Sequence, residues 1–264
     1  MLKFIFKLVL LVSFSVAAQQ TPKKGKDIAK PADSLAVPVK TENYGLRVGI
    51  DLYRPSRAFY DDGFKGFEVV ADYRVRKKTY AAAEAGTVDY TYDDYRLNYT
   101  TTGSYLKAGL DFNMYDNWLD MENMVYLGLR YGAASFSQNL NSYKIYQNSA
   151  IGTNPETNAA STNYFDEVTV KTDKKYGGLS AQWVEVVAGL KAKLFNNIYL
   201  GFSVRINALV ANKKPAGFDN LYIPGFNRTY DGNFGAGFNY TLSYLIPVKK
   251  KQVLPKEKEV KKKK

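Results

Sequence analysis

The segment 234–246 reads FGAGFNYTLSYLI and alternates between two kinds of side chain from 234 to 244. Its even-numbered positions are aromatic or aliphatic, whereas its odd-numbered positions are mainly Gly, Asn, Thr and Ser. A period of two is typical of a β-strand with one apolar face and one polar face. This segment therefore predicts a strand that lies between an apolar and a polar environment.

The same period recurs in seven segments that precede this strand. In segment 198–207, Leu200, Phe202 and Val204 alternate with small or polar residues that include Arg205. The remaining six segments show one predominantly apolar face each. These segments are 46–53, 67–75, 80–86, 106–113, 125–132 and 184–191.

The connections between the eight predicted strands alternate in length. Three are short, namely 76–78, 115–121 and 195–197, and four are long, namely 54–65, 89–103, 137–178 and 212–232. Short turns on one side and long loops on the other are typical of bacterial outer-membrane barrels, which have an even number of strands and periplasmic termini. The sequence thus predicts an all-β fold, an eight-stranded antiparallel transmembrane β-barrel with up-and-down order.

A soluble barrel or a β-sandwich is the alternative, because alternation occurs in both. Such a fold with a polar lumen would expose eight apolar strand faces to water, a larger patch than soluble proteins carry. Aromatic residues make up 15% of the chain, with 22 Tyr. This content suits the aromatic girdles of a membrane barrel. We therefore expect the cell outer membrane as the location.

The polar faces of the predicted strands carry twelve charged residues, six of each sign. Confined in a narrow lumen, opposite charges are expected to pair, since an unpaired buried charge is costly. The pattern predicts a structural charge network that fills the barrel; the alternatives are an ion path or a carboxylate active site. The twelve residues are Arg47, Asp51, Glu68, Asp72, Arg74, Glu84, Lys107, Asp111, Arg130, Glu185, Lys191 and Arg205.

The two ends of the chain differ in composition from its body. Residues 1–18 combine a basic start with an apolar stretch and small residues, which predicts a signal peptide. Residues 19–43 are rich in Lys, Pro, Ala and Thr and predict a flexible segment. The barrel is expected over 44–248, followed by a lysine-rich, disordered periplasmic tail over 249–264.

The net charge of +12 resides mainly in these ends, because residues 44–248 carry 21 basic and 20 acidic side chains. A nucleic-acid-binding core is therefore not expected. The chain has no Cys and no His. It lacks a thiol nucleophile, the usual general base of hydrolases and the commonest transition-metal ligand. No catalytic residue, cofactor or metal site is predicted, and we expect a protein that is not an enzyme.

The predicted outer loops contain acidic and tyrosine-rich clusters, among them 61–63, 89–95 and 220–230. Acidic clusters can hold Ca²⁺ through oxygen ligands, but no complete calcium-loop pattern is present, and a solvated loop is the simpler interpretation. Tyr and Asn are also common in recognition surfaces. The clusters leave both interpretations open.

Three stretches carry a family resemblance: 105–109, 126–132 and above all 220–230, which reads NLYIPGFNRTY. In them the chain resembles an uncharacterised Bacteroidota family of outer-membrane β-barrel proteins. The resemblance extends over about 44–248 and implies the fold and the location, but no activity for any residue. The chain departs from many such barrels in having a lysine tail where they end on an aromatic residue.

Our main functional hypothesis is a non-enzymatic outer-membrane barrel with a structural or surface-interaction role through its long loops. The alternatives are a membrane-surface enzyme acting on lipid or polysaccharide, and a narrow pore. The expected partners are outer-membrane lipid, the barrel-assembly machinery and an anionic cell-envelope polymer bound by Lys249–Lys264, with no nucleic acid.

Overall fold

The computed structural model describes residues 40–116, 122–147, 166–227 and 232–253. These residues form eight β-strands and one short helix. In chain order they are β1 Lys40–Asp51, α1 Tyr53–Arg57, β2 Phe64–Arg74, β3 Thr79–Asp94, β4 Leu97–Asn113, β5 Met124–Gln147, β6 Asp166–Phe195, β7 Ile198–Lys213 and β8 Phe234–Val253.

The eight strands form a single antiparallel sheet that closes on itself into a barrel. Each strand pairs with its neighbour in sequence, and β1 pairs with β8 along its whole length, from Lys40 opposite Val253 to Asp51 opposite Thr241. The predicted all-β fold, strand number and up-and-down order are confirmed.

Alternation along each strand divides the side chains between two surfaces of the sheet. In β7, Arg205 and Asn207 are buried inside the ring, whereas Val204 and Ile206 point outward with 47% and 64% of their surface exposed. The same holds for the apolar positions of the other strands, because successive Cβ atoms point to opposite faces. Apolar side chains thus surround the barrel, while its interior is polar and aromatic.

Two of the predicted long loops are largely strand. β3 and β4 continue as a hairpin up to a turn at Tyr95 and Arg96, so the prediction of a loop over 89–103 was wrong. β5 and β6 likewise extend through most of the predicted loop 137–178 as far as Gln147 and Asp166, and residues 148–165 lie outside the described residues. We call this end of the barrel the loop end and the opposite one the turn end.

The turn end carries both ends of the described chain. β1 and β8 continue past the neighbouring strands, and β8 includes residues 249–253, for which the sequence predicted a disordered tail. The predicted signal peptide 1–18, most of the flexible segment 19–43 and the tail beyond 253 lie outside the described residues.

The wall has a gap in its strand order at the loop end. β1 stops at Asp51 and pairs with β2 only from Leu46 to Ile50, so the first half of β2 and the first half of β8 have no strand between them. The turn of chain that contains α1 lies there instead, and Leu52 N still donates to the carbonyl of Tyr240 at 2.8 Å. Among the described helical residues, none forms a helix long and apolar enough to cross a membrane.

Candidate functional site

The structure places the twelve sequence-predicted charges along the inside of the barrel. Ten are buried, Lys191 keeps 12% of its side chain exposed, and Arg74 is half-buried at the turn end, where it donates to the carbonyl of Lys77 at 2.7 Å. The ten buried residues are Arg47, Asp51, Glu68, Asp72, Glu84, Lys107, Asp111, Arg130, Glu185 and Arg205. Eleven of the twelve therefore meet inside one ring, and Arg74 lies at its edge.

A group near the turn end is centred on Asp72. Arg47 Nε lies 2.6 Å from one oxygen of this carboxylate, and Lys191 Nζ lies 2.5 Å from the other. The guanidinium of Arg47 also stands 4.8 Å from the ring centre of Tyr80 and 5.3 Å from that of Tyr199. Both oxygens of the buried carboxylate thus have a cationic partner.

The middle of the barrel contains a larger group around Glu84. Arg205 approaches this carboxylate to 2.8 Å, and Lys107 and Arg130 both lie 3.6 Å from it. Lys107 and Arg205 also contact Glu185, at 2.9 and 3.2 Å. Because two carboxylates share their cations, the group is a network that joins five strands and not a set of separate pairs.

Arg130 links this network to Asp111, which lies 2.7 Å from its guanidinium. Trp183 donates its indole N–H to Glu185 at 2.7 Å. A remaining cavity beside Asp72, Lys191 and Arg205 has a volume of about 30 Å³. This is room for about one water molecule, so the described interior at this level is filled by side chains.

Arg54 is a buried member of the interior that the sequence did not predict. It lies on α1, 2.8 Å from Asp51 and 3.1 Å from Glu68, and Asn239 donates to the other oxygen of Glu68 at 2.8 Å. Among the described residues, the eleven sequence-predicted charges inside the ring are five cations and six carboxylates, and Arg54 supplies the sixth cation. No alternation marks the segment 54–65, so the sequence carried no signal for a residue that reaches inward from a connection.

The segment 220–227 folds into the barrel from the loop end and closes it; we call it the plug. Tyr222, Ile223 and Phe226 are buried among inward-facing residues of β3, β4, β5 and β6. Phe226 packs edge-on against Trp183 with 5.9 Å between ring centres, and Leu221 N donates to the side chain of Gln138 at 3.0 Å. The sequence predicted an outer loop here, so the plug corrects that expectation.

Glycine permits the close approach of the plug to the wall. Gly225 has a φ of +81°, and a Cβ added to it would stand 2.6 Å from the ring of Tyr105. Asn227 also has a positive φ, of +77°, and its backbone N–H donates to Ile223 O at 2.7 Å. Position 225 requires both a positive φ and the absence of a Cβ, and only glycine meets both requirements. The close approach of the plug to Tyr105 therefore explains the glycine in the stretch NLYIPGFN.

Above the plug lies a vestibule lined by aromatic rings. Tyr90 stands 4.7 Å from Tyr222, and Tyr92 stacks on Tyr99 at 5.3 Å. Arg57 lies over Tyr90 with 4.9 Å to the ring centre. Burial raises the pKa of Tyr222 to about 12. Its hydroxyl donates to the side-chain oxygen of Asn227 at 3.0 Å.

The acidic residues of two loop-end clusters border a second concavity on the outside of the vestibule. Asp61, Asp62, Asp89 and Asp93 surround a space of about 480 Å³ together with Lys65. Within the described part of the chain, no three such side chains come close enough to hold a metal ion. We therefore interpret these aspartates as part of the solvated surface.

A family model matches residues 1–251. The chain belongs to DUF6048, a domain of unknown function. No curated protein and no solved structure matches the chain. For this member of DUF6048, the barrel, its charge network and its plug are therefore the basis for any functional argument.

Removal of the Tyr105 hydroxyl tests one hydrogen bond of the charge network in this DUF6048 chain, and the expected loss of stability is small. It donates to Glu68, so Tyr105→Phe removes one hydrogen bond to a buried carboxylate and is expected to cost about 1–2 kcal/mol of unfolding free energy. Urea titration of the purified barrel, followed by its heat-modifiable gel migration, measures this loss. Tyr131→Phe is the matched control, because Tyr131 points outward and donates to Gln182 on the surface. Equal losses in both variants would contradict the network.

Proposed function

We propose that this chain is an outer-membrane β-barrel protein of a Gram-negative bacterium, of the Bacteroidota type that the resemblance implies. Both termini lie in the periplasm, and the protein is not an enzyme. It acts as a structural or surface-interaction component through the hairpins and loops of its loop end. Residues 1–18 act as its signal peptide.

The observation that carries this proposal is the apolar belt of outward-facing side chains. Large hydrophobic residues on seven of the eight strands expose between 37% and 66% of their surface, for example Val48, Phe67, Leu129 and Phe238. The outward face of β3 carries the smaller apolar residues Ala83 and Ala85 instead. A polar interior leaves these residues without a protein core to enter. A bilayer supplies the missing apolar environment, and the strand pairing around the ring provides the backbone hydrogen bonds that lipid cannot, except at the gap beside α1.

The lumen favours a closed barrel over a pore. The buried charges are paired, and the plug covers them from the loop end. A conducting path needs room for ions and water, and an eight-stranded barrel with large inward side chains leaves little. The proposal therefore assigns the interior to stability and the exposed loop end to interaction.

The proposed partners contact the apolar belt and the turn end of the barrel. Insertion requires the barrel-assembly machinery, and the belt contacts outer-membrane lipid. At the turn end, β8 carries the lysines that begin the basic tail Lys249–Lys264. A basic segment facing the periplasm would bind an anionic cell-envelope polymer by charge, without sequence specificity.

Cell fractionation tests the location directly. We expect the mature chain in the outer-membrane fraction, resistant to carbonate extraction and faster on gels before heating than after. A mature chain that is soluble in the periplasm would overturn the proposal.

A belt substitution tests the membrane environment residue by residue. Leu129 is 58% exposed and faces outward on β5, so Leu129→Arg would cost nothing in a water-soluble barrel. In a membrane we expect a loss of about 2–4 kcal/mol in the folding free energy measured in lipid vesicles. Val210→Arg, near the loop end of β7, is the control and should cost about 0–1 kcal/mol. Equal effects at the two sites would contradict the belt.

A further inference from the structure

The gap between β2 and β8 interrupts the wall within the apolar belt. Residues 64–68 of β2 and 234–239 of β8 face each other across it without an intervening strand, since β1 ends at Asp51. On β8, this region includes the outward-facing Phe238, 45% of which is exposed. We call this part of the wall the seam. It opens both towards the surroundings of the barrel and towards the vestibule.

Helix α1 fills part of the seam and presents different side chains to its two sides. On the outer side, Tyr53 packs against Phe238 with 4.6 Å between ring centres, and Ser56 shares a hydrogen bond with the hydroxyl of Tyr240. On the inner side, Arg54 reaches the charge network and Arg57 lies over the rings of Phe64 and Tyr90. One side of α1 therefore faces the outer surface of the barrel, and the other side faces the vestibule.

A cavity of about 760 Å³ lies beside α1 and is lined by residues from both faces of the wall. Its inner half is lined by the vestibule tyrosines, and its outer half continues onto outward-facing residues of β6, β7 and β8. The inner lining includes Arg57, Tyr90, Tyr92, Tyr99, Arg205, Tyr222 and Asn227, and the outer lining includes Tyr53, Val186, Val204, Ile206 and Phe238. Its volume lies within the range of small-molecule sites. One end of the cavity is polar and the other is apolar.

The charges along this cavity favour an anion. Among its described lining residues, the charged ones are Arg57 and Arg205, and no carboxylate is included. Arg205 is committed to Glu84 and Glu185, whereas Arg57 donates to Asp61 through Nε and one terminal nitrogen, at 2.9 and 2.8 Å, and its guanidinium faces the ring of Tyr90 inside the cavity. Arginine and tyrosine donors together match the oxygens of a phosphate. A cationic head group would meet Arg57 at like charge.

We propose that the seam binds an amphiphile from the surrounding lipid leaflet, with its phosphate head in the vestibule and one acyl chain along the outer lining. Free phosphate would leave the apolar half of the cavity empty, and a neutral hydrocarbon would place no polar group against the tyrosines and Arg57 of the inner lining. The site rests on the proposed function, because the seam faces lipid only if the belt is embedded in a membrane.

A photoactivatable dodecyl phosphate with a diazirine near its chain end tests the site on the full mature chain in neutral detergent. We expect saturable labelling concentrated near Val186, Ile206 and Phe238, located by mass spectrometry of the cross-linked peptides. Unlabelled dodecyl phosphate should compete, and inorganic phosphate should not. Labelling spread evenly around the belt, or competition by inorganic phosphate alone, would overturn the proposal.

Two pairs of variants separate the two halves of the cavity. Ala236→Trp fills the outer lining and should lower labelling about tenfold, whereas Ala108→Trp, the same change on the outward face of β4, should leave it unchanged. Arg57→Gln should lower the labelling by the dodecyl phosphate probe but not the labelling by an uncharged dodecyl maltoside probe. Equal labelling of the two tryptophan variants would overturn the site.

Gly237→Phe provides a second blocking variant should Ala236→Trp fail to fold. A Cβ at Gly237 has its nearest neighbours at 3.6 Å, so the position accepts a side chain that then enters the cavity. Heat-modifiable migration reports folding of every variant. A chain that stays in the outer membrane but labels evenly disproves the lipid site alone, whereas a chain soluble in the periplasm disproves the proposed function.

Discussion

Glu84→Gln is expected to lower the unfolding free energy of the barrel by about 3–5 kcal/mol, the usual cost of removing one partner from a buried charge group. Glu84 is 6% exposed and faces Arg205, Lys107 and Arg130. Glutamine keeps the shape of the side chain but leaves three buried cations with Glu185 and Asp111 as their remaining carboxylates. Urea titration in lipid vesicles, read from heat-modifiable gel migration, measures the loss.

Asp116→Asn is the control for this prediction. Asp116 lies 2.8 Å from Lys78, but the two side chains are 79% and 47% exposed. Water screens such a pair, so its removal should cost about 0–1 kcal/mol. If the two substitutions destabilise the barrel equally, burial does not set the strength of the interior network.

Gly225→Val is expected to expel the plug while the barrel remains folded. Valine at a φ of +81° is strained, and its side chain would overlap the ring of Tyr105. The position of the plug inside the barrel should therefore be destabilised by about 3 kcal/mol or more. Trp183 packs against Phe226 and is fully buried, so it reports the loss of the plug. In a Trp118→Phe background, which leaves Trp183 as the single tryptophan, acrylamide should quench its fluorescence strongly.

Gly217→Val is the matched control. Gly217 has a φ of +95°, but no atom lies within 4 Å of a Cβ added there. This variant shares the backbone strain of about 1–3 kcal/mol without the collision, so Trp183 should stay protected. Strong quenching in both variants would mean that the contact with Tyr105 does not hold the plug.

The strand order and the interior charges could be predicted because each depends on a local pattern. A period of two assigns every strand residue to one surface, which is why eleven of the twelve predicted charges lie inside the ring. Pairing between particular charges could not be predicted, because it depends on the stagger between strands. Glu84 and Arg205 are 121 residues apart and meet only in the closed ring.

The wrong sequence predictions concern segments in which the alternation of apolar and polar residues is absent. In 89–94 and 97–102, Thr and Tyr occupy both faces of β3 and β4, so the apolar alternation vanishes although the strands continue. Arg54 and Phe226 lie in connections, and their burial depends on the space left inside the barrel. A tyrosine-rich, proline- and glycine-containing stretch such as 220–227 carries no period from which its return into the lumen could be inferred.

The pairing of β1 with β8 also determines when the chain can become a barrel. Every other pairing joins strands that follow each other in sequence, whereas Asp51 pairs with Thr241 across almost the whole domain. A contact of such sequence separation is slow to form, because the intervening loop must first lose its entropy. Neighbouring hairpins therefore assemble early as an open sheet, and the polar lumen becomes sealed only when the last strand reaches the first.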